Sequence, residues 1–133
     1  MTITSELVIE FSSGIPVYKQ VINAIYAAIG KGDLREGDRL PTIKELTERL
    51  GVNPNTIAKA YRELDLKGII TSRRGDGSFV APRTGAGPVR LSAREKAAKL
   101  DELFGRVIAE AKGLGITEEE LVKHIEERMQ EDE

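Results

Sequence analysis

Apolar positions along this chain of 133 residues recur mostly at helical spacing, and glycine, proline and small polar residues cut the pattern into segments. Residues 7–11, LVIEF, are a short apolar run that predicts a strand, broken by Ser12-Ser13-Gly14. Pro16, with fixed φ and no N–H to leave unbonded, suits the start of a helix. Val17, Val21, Ile25, Ala28 and Ile29 continue it at helical spacing until Gly30 and Gly32. Residues 33–41 read as a loop turning at Glu36-Gly37-Asp38. Thr42 then caps a second helix, with Glu45 three residues on in the capping-box position. Ile43, Leu46 and Leu50 form its apolar face, and Gly51 ends it. Asn53 caps a third helix with Pro54 at its first position, and Ile57, Ala60, Tyr61 and Leu64 face inward as far as Gly68.

The pattern then changes period. Residues 69–73 and 78–80 are β-rich, and Arg74-Gly75-Asp76-Gly77 between them signals a hairpin, since Asp-Gly tolerates positive φ. Residues 82–91 hold two prolines and two glycines and read as a linker. Beyond it Ser92 caps a helix bearing Ala97, Leu100, Leu103, Phe104, Val107, Ile108 and Ala111, which Gly113 and Gly115 end. Thr117 and Glu120 begin a last helix with Leu121, Ile125 and Met129 on one stripe. Two amphipathic helices meeting at Gly51, the second opening with small polar residues, read as a helix-turn-helix, and the arginine-tipped hairpin makes it a winged one. The predicted fold is mainly α with a small β-hairpin wing. It comprises a winged helix-turn-helix over 1–81, the linker over 82–91 and a two-helix segment over 92–133.

These elements are similar to a known family. PVYKQVINAIYAAIGKGDLREGDRLPTIKELTERLGVNPNTIAKAYRELDLKGII followed by GDGSFV resembles the N-terminal domain of the GntR family of bacterial transcription regulators, over about residues 15–80. Most members carry a large effector-binding domain, whereas 42 residues follow the linker here. That short tail resembles the YtrA-like subfamily, in which two helices serve dimerisation and the regulator often neighbours genes for ATP-driven membrane transporters. The resemblance therefore implies a sequence-specific DNA-binding regulator, a homodimeric repressor of an inverted-repeat operator.

Charge agrees with that reading without proving it. The net charge is −2, but residues 52–83 carry six basic and three acidic side chains while residues 92–133 carry seven basic and twelve acidic ones. A chain acidic overall binds DNA when its positive charge is gathered on one face. Asn55 and Thr56 are expected exposed in the first turn of the recognition helix, small enough to enter a groove. Asn53 reads as a cap first and a contact second. Lys59 shares their face and suits a phosphate or a guanine edge, and Arg62 follows it. Lys44 stands where the family more often has arginine, so its contact is a phosphate without the bidentate fork. Thr42, a cap, can also donate to a phosphate. Pro54 stands where other branches often have a base-reading arginine, which points to fewer direct base contacts. In the wing, Arg73 and Arg74 flank Gly75 and Gly77, suiting close approach to a narrow minor groove, although Asp76 opposes a phosphate there.

The remaining features lead away from chemistry. Cysteine is absent, His124 is the one histidine, and no nucleophile constellation, metal site or cofactor motif stands out. No enzyme activity is expected. Tyr18, Tyr26 and Tyr61 read as core. With no apolar run of eighteen residues and no secretory start, a cytoplasmic protein without membrane attachment is expected. One winged helix covers a single short half-site, and the two tail helices cannot form a core alone. Leu100, Leu103, Phe104, Val107, Ile108, Leu121 and Ile125 are therefore the expected dimer contacts, with half-site centres one helical turn apart or a multiple of it. The competing class is a winged-helix protein-interaction module, and an unidentified small-molecule effector remains open.

Overall fold

The structure is a computed structural model and describes residues 7–82 and 91–131. The chain falls into two compact units, Met1–Arg90 and Leu91–Glu133. The first contains α1 (Val17–Lys31), α2 (Ile43–Leu50), α3 (Pro54–Leu66), β1 (Ile70–Arg73) and β2 (Gly77–Val80). The second contains α4 (Ala93–Gly113) and α5 (Glu118–Glu131).

Each helix of the first unit begins and ends where local chemistry requires. Thr42 Oγ1 accepts the Glu45 N–H at 3.0 Å, capping α2. Gly51 closes α2 with φ +67, and its N–H donates to the Thr47 carbonyl at 2.9 Å. That left-handed residue lets the chain reverse within a few residues, so α3 packs across α2. Asn53 Oδ1 accepts the Asn55 N–H at 2.8 Å, with Pro54 in the first turn of α3 where no intrahelical donor is lost. Val21, Ile22 and Ile25 of α1, Leu46 of α2, Ile57 and Leu64 of α3, and Leu40, Ile69, Ile70 and Val80 close into one core.

The wing is an antiparallel hairpin with register Ile70↔Val80, Thr71↔Phe79, Ser72↔Ser78 and Arg73↔Gly77. Its turn is closed by Asp76 N–H to Arg73 C=O at 3.0 Å, and the positive φ falls on Gly75 and Gly77, not on Asp76. Gly75 is the third residue of that turn, where a type II geometry demands φ > 0. The segment expected as a plain loop over 33–41 is half of one. It turns at Arg35–Asp38, with Asp38 Oδ2 accepting the Arg35 N–H at 2.7 Å. It then pairs with the free edge of β2 through Leu40 N–H to Ser78 C=O and Val80 N–H to Asp38 C=O, both 2.8 Å.

Other expectations need correction. Residues 7–11 form no strand: no partner strand among the described residues reaches them, and the Gln20 side chain takes that place, accepting the Glu10 N–H and donating to the Glu10 C=O, each at 2.9 Å. Gly30 lies inside α1, which runs on to Lys31 and is capped by Gly32. Of the three tyrosines only Tyr61 is buried. Tyr18 and Tyr26 are half-buried against the core. Most of the expected linker lies outside the described residues.

In the second unit Ser92 and Glu95 form a reciprocal capping box at the start of α4. Gly115, with φ +78, turns the chain, and the Ile116 N–H donates back to the Ala111 carbonyl at 2.9 Å. Thr117 Oγ1 accepts the Glu120 N–H at 3.1 Å at the start of α5.

Candidate nucleic-acid interface

The tip of α3 presents Asn53, Asn55, Lys59 and Arg62 to solvent, with Thr56 half-buried beside them. Asn53 spends its carbonyl on the cap, which leaves its two amide N–H donors outward. Among the described residues Asn55 has no side-chain partner, and its amide is free to meet a base edge or phosphate. Thr42 accepts its capping bond through Oγ1, so its hydroxyl hydrogen remains for a phosphate oxygen. Lys44 lies exposed in the first turn of α2.

Two cations are seated on aromatic faces. The Lys59 ammonium lies 4.0 Å from the centroid of the Tyr18 ring, and the Arg73 guanidinium lies 4.3 Å from that of Phe79. At exposed sites such contacts contribute about 0.5–1 kcal/mol, enough to bias a rotamer and too little to hold it against a phosphate. Tyr18, expected as core, thus orients a cation of the recognition helix. Nothing in the spacing of α1 signals this, because the pair joins distant parts of the chain.

Lys44, Lys59, Arg62, Arg73 and Arg74 form no ion pair among the described residues, and Asp76 neutralises neither neighbouring arginine. These cations are thus available to external anions. Buried Tyr61 ties the two helices of the motif together: its hydroxyl donates to the Pro41 carbonyl at 2.6 Å, one residue before the α2 cap. Burial, and secondarily the Glu45 carboxylate, raises its pKa above the ordinary tyrosine value.

Arg39 belongs to this surface although no motif in the sequence marks it. Its backbone pairs with Phe79, and its guanidinium lies against Gly77: a β-carbon placed on that glycine would meet Arg39 Nε at 3.3 Å and Nη2 at 3.4 Å. The alternation of exposed Arg39 with buried Leu40 is the one local signal that could have found this short strand.

The arrangement offers exposed amides on a helix and, on that helix and the hairpin, cations without an ion pair among the described residues. Among the described residues no group of three or more His, Cys, Asp or Glu side chains is placed to hold a metal ion, and no helix is long and apolar enough to cross a membrane. In the second unit Leu100, Leu103, Phe104, Val107 and Ile108 are 38–52 % exposed along α4, while Leu121 and Ile125 of α5 are half-buried.

Residues 17–80 match the family described as bacterial regulatory proteins, gntR family. The chain is 33% identical over 115 residues to the HTH-type transcriptional repressor YtrA of Bacillus subtilis, covering 86% of this chain and 85% of that protein. Among solved structures it is similar to a transcriptional antiterminator from Listeria monocytogenes, with TM-score 0.66 and 34% identity over 94% of this chain and 90% of that one. It is also similar to YtrA from Sulfolobus acidocaldarius, a GntR-family transcription factor, with TM-score 0.57 and 32% identity over 77% of this chain and 97% of that one. With an exposed recognition helix and an arginine-tipped wing carried on that matching domain, the chain belongs to the GntR family as a YtrA-like member and is a DNA-binding transcriptional regulator.

Proposed function

We propose that the protein is a homodimeric repressor that binds an inverted-repeat operator. In this reading Asn55, Thr56 and Lys59 enter the major groove, with Asn53 and Arg62 at its margins. Thr42 and Lys44 take phosphates, and Arg73, Arg74, Gly75 and Gly77 approach the minor groove. The observation that carries the DNA face is the set of cations on α2, α3 and the wing with no carboxylate partner among the described residues. Phosphate neutralisation supplies most of the affinity, and with proline at 54 fewer direct base contacts set the specificity, so half-site spacing and groove shape carry more of it.

Dimerisation is supported by the α4 stripe. Five large apolar side chains stand roughly half exposed at helical spacing, and burying what remains of each is worth on the order of 1 kcal/mol. Across a two-fold axis the same stripe meets itself. Leu121 and Ile125 extend it on α5. The protein is read as cytoplasmic and without catalytic activity. Its regulated genes are read as those of an ATP-driven transporter, after the YtrA-like resemblance, and a small-molecule effector is left open.

The test is fluorescence anisotropy on duplex DNA. Lys59→Ala and Arg74→Ala should each weaken binding. Each should also flatten the salt dependence, by about one unit of log K against log salt for every phosphate that is no longer neutralised. If both variants bind as wild type does, the assigned face is wrong. A wild-type protein that ignores duplex at low salt would instead favour a protein-interaction module.

A further inference from the structure

The outward face of the wing holds a second arginine seat, separate from the hairpin tip. Cross-paired residues of an antiparallel sheet share a face, so Arg39, Phe79 and Thr71 lie together, with Gly77 and Arg73 one pair further toward the hairpin tip. Leu40, Val80 and Ile70 occupy the opposite face and are buried in the core. Phe79 carries the Arg73 guanidinium at 4.3 Å, and the glycine two residues earlier leaves room for that of Arg39. The two guanidiniums therefore bracket a Gly77–Phe79 column beside the tip. Arg39 forms no ion pair among the described residues, although Glu36, Asp38 and Asp76 lie nearby in sequence or in the hairpin.

A guanidinium laid flat on backbone or ring keeps its N–H edge free, and that edge matches a phosphate bidentately. Holding the side chain in place before binding also removes part of the ordering cost. The backbone under Arg39 is fixed by the two 2.8 Å bonds to β2, so the seat moves with the wing. We propose that Arg39 is a third DNA-contacting arginine of the wing, gripping a backbone phosphate beside the groove that the hairpin tip approaches, and that Gly77 leaves the space it needs. This rests on the wing meeting DNA, as proposed for Arg73 and Arg74.

The experiment uses the full chain and a duplex enriched from a random pool by the wild-type protein, with anisotropy titrations at several KCl concentrations. Arg39→Ala should weaken binding several-fold near 0.1 M salt and lower the slope of log K against log salt by about one for each protomer bound. Arg39→Lys should restore the slope but recover affinity only in part, since an ammonium lacks the fork. Arg35→Ala, an exposed arginine of the same loop whose Nε donates to the Gly32 carbonyl, should leave the slope unchanged. If Arg39→Ala keeps the wild-type slope and affinity while Arg74→Ala loses both, Arg39 makes no contact and the wing still binds. If Arg74→Ala is also silent, or no duplex is enriched, the wing reading falls and the proposal falls with it.

Discussion

Removing a single oxygen from Tyr61 probes how the two helices of the helix-turn-helix are held. In Tyr61→Phe the Pro41 carbonyl loses the hydroxyl that reaches it at 2.6 Å, in a setting with no described replacement donor. A buried acceptor left unbonded costs about 1–3 kcal/mol, and the phenyl ring keeps the packing, so no cavity term adds to it. For a domain of this size each 1 kcal/mol moves the melting temperature by about 4–8 °C, so a fall of roughly 4 to 24 °C is expected at matched protein concentration. The change also frees the backbone just before Thr42, so affinity for duplex should fall with it while the salt slope stays put, because no phosphate contact is deleted. The pH dependence gives a second signature. The folded-state pKa of Tyr61 is raised above its ordinary value of 10.0, chiefly by burial. The stability it supplies is therefore fully present below pH 10 and lost as pH rises beyond it, toward the folded-state value. Wild type should lose stability above pH 10 more steeply than Tyr61→Phe. A phenylalanine variant that melts with wild type and follows the same alkaline limb would refute the hydrogen bond as the tie between α2 and α3.

Further expectations concern separate parts of the molecule. Gly51→Ala places a β-carbon at φ +67 with no steric neighbour within 4 Å, so backbone strain alone should cost about 1 kcal/mol or slightly more, read from urea unfolding. Tyr18→Ala should leave the salt slope of DNA binding near wild type while lowering affinity modestly, because it removes the seat of Lys59 and not its charge; a slope reduced by a full unit would show that Lys59 reaches its phosphate only from that seat. Leu103→Asp with Val107→Asp, both exposed in the single chain, should yield a folded protomer at half the wild-type mass in light scattering, and a variant that keeps the wild-type mass would remove α4 from the dimer contact.

The helix-turn-helix was legible because its boundaries are written in short-range chemistry. Thr42, Gly51, Asn53 and Pro54 act within four residues of where they stand, and the structure uses each as its residue type suggests. What the sequence hid joins distant positions. Arg39 pairs with Phe79 across the whole helix-turn-helix, and the polar–apolar step from Arg39 to Leu40 is too short by itself to separate an edge strand from a loop. The apolar run at 7–11 reads as a strand by composition, yet a strand needs a partner, and a single glutamine amide supplies the donor and acceptor that a neighbouring backbone would have offered. The cation seats on Tyr18 and Phe79 were hidden for the same reason: both rings look like core until their exposed side is seen.

In the proposed complex two copies of this chain read one two-fold-related DNA site. Selection of duplexes from a random pool by the full-length protein, followed by sequencing of the enriched fraction, tests this directly. The expected result is an inverted repeat whose half-site centres lie one helical turn apart, or a multiple of it, with loss of retention as salt rises. Enrichment of a single unrepeated half-site, or no enrichment above the starting pool, would contradict that arrangement.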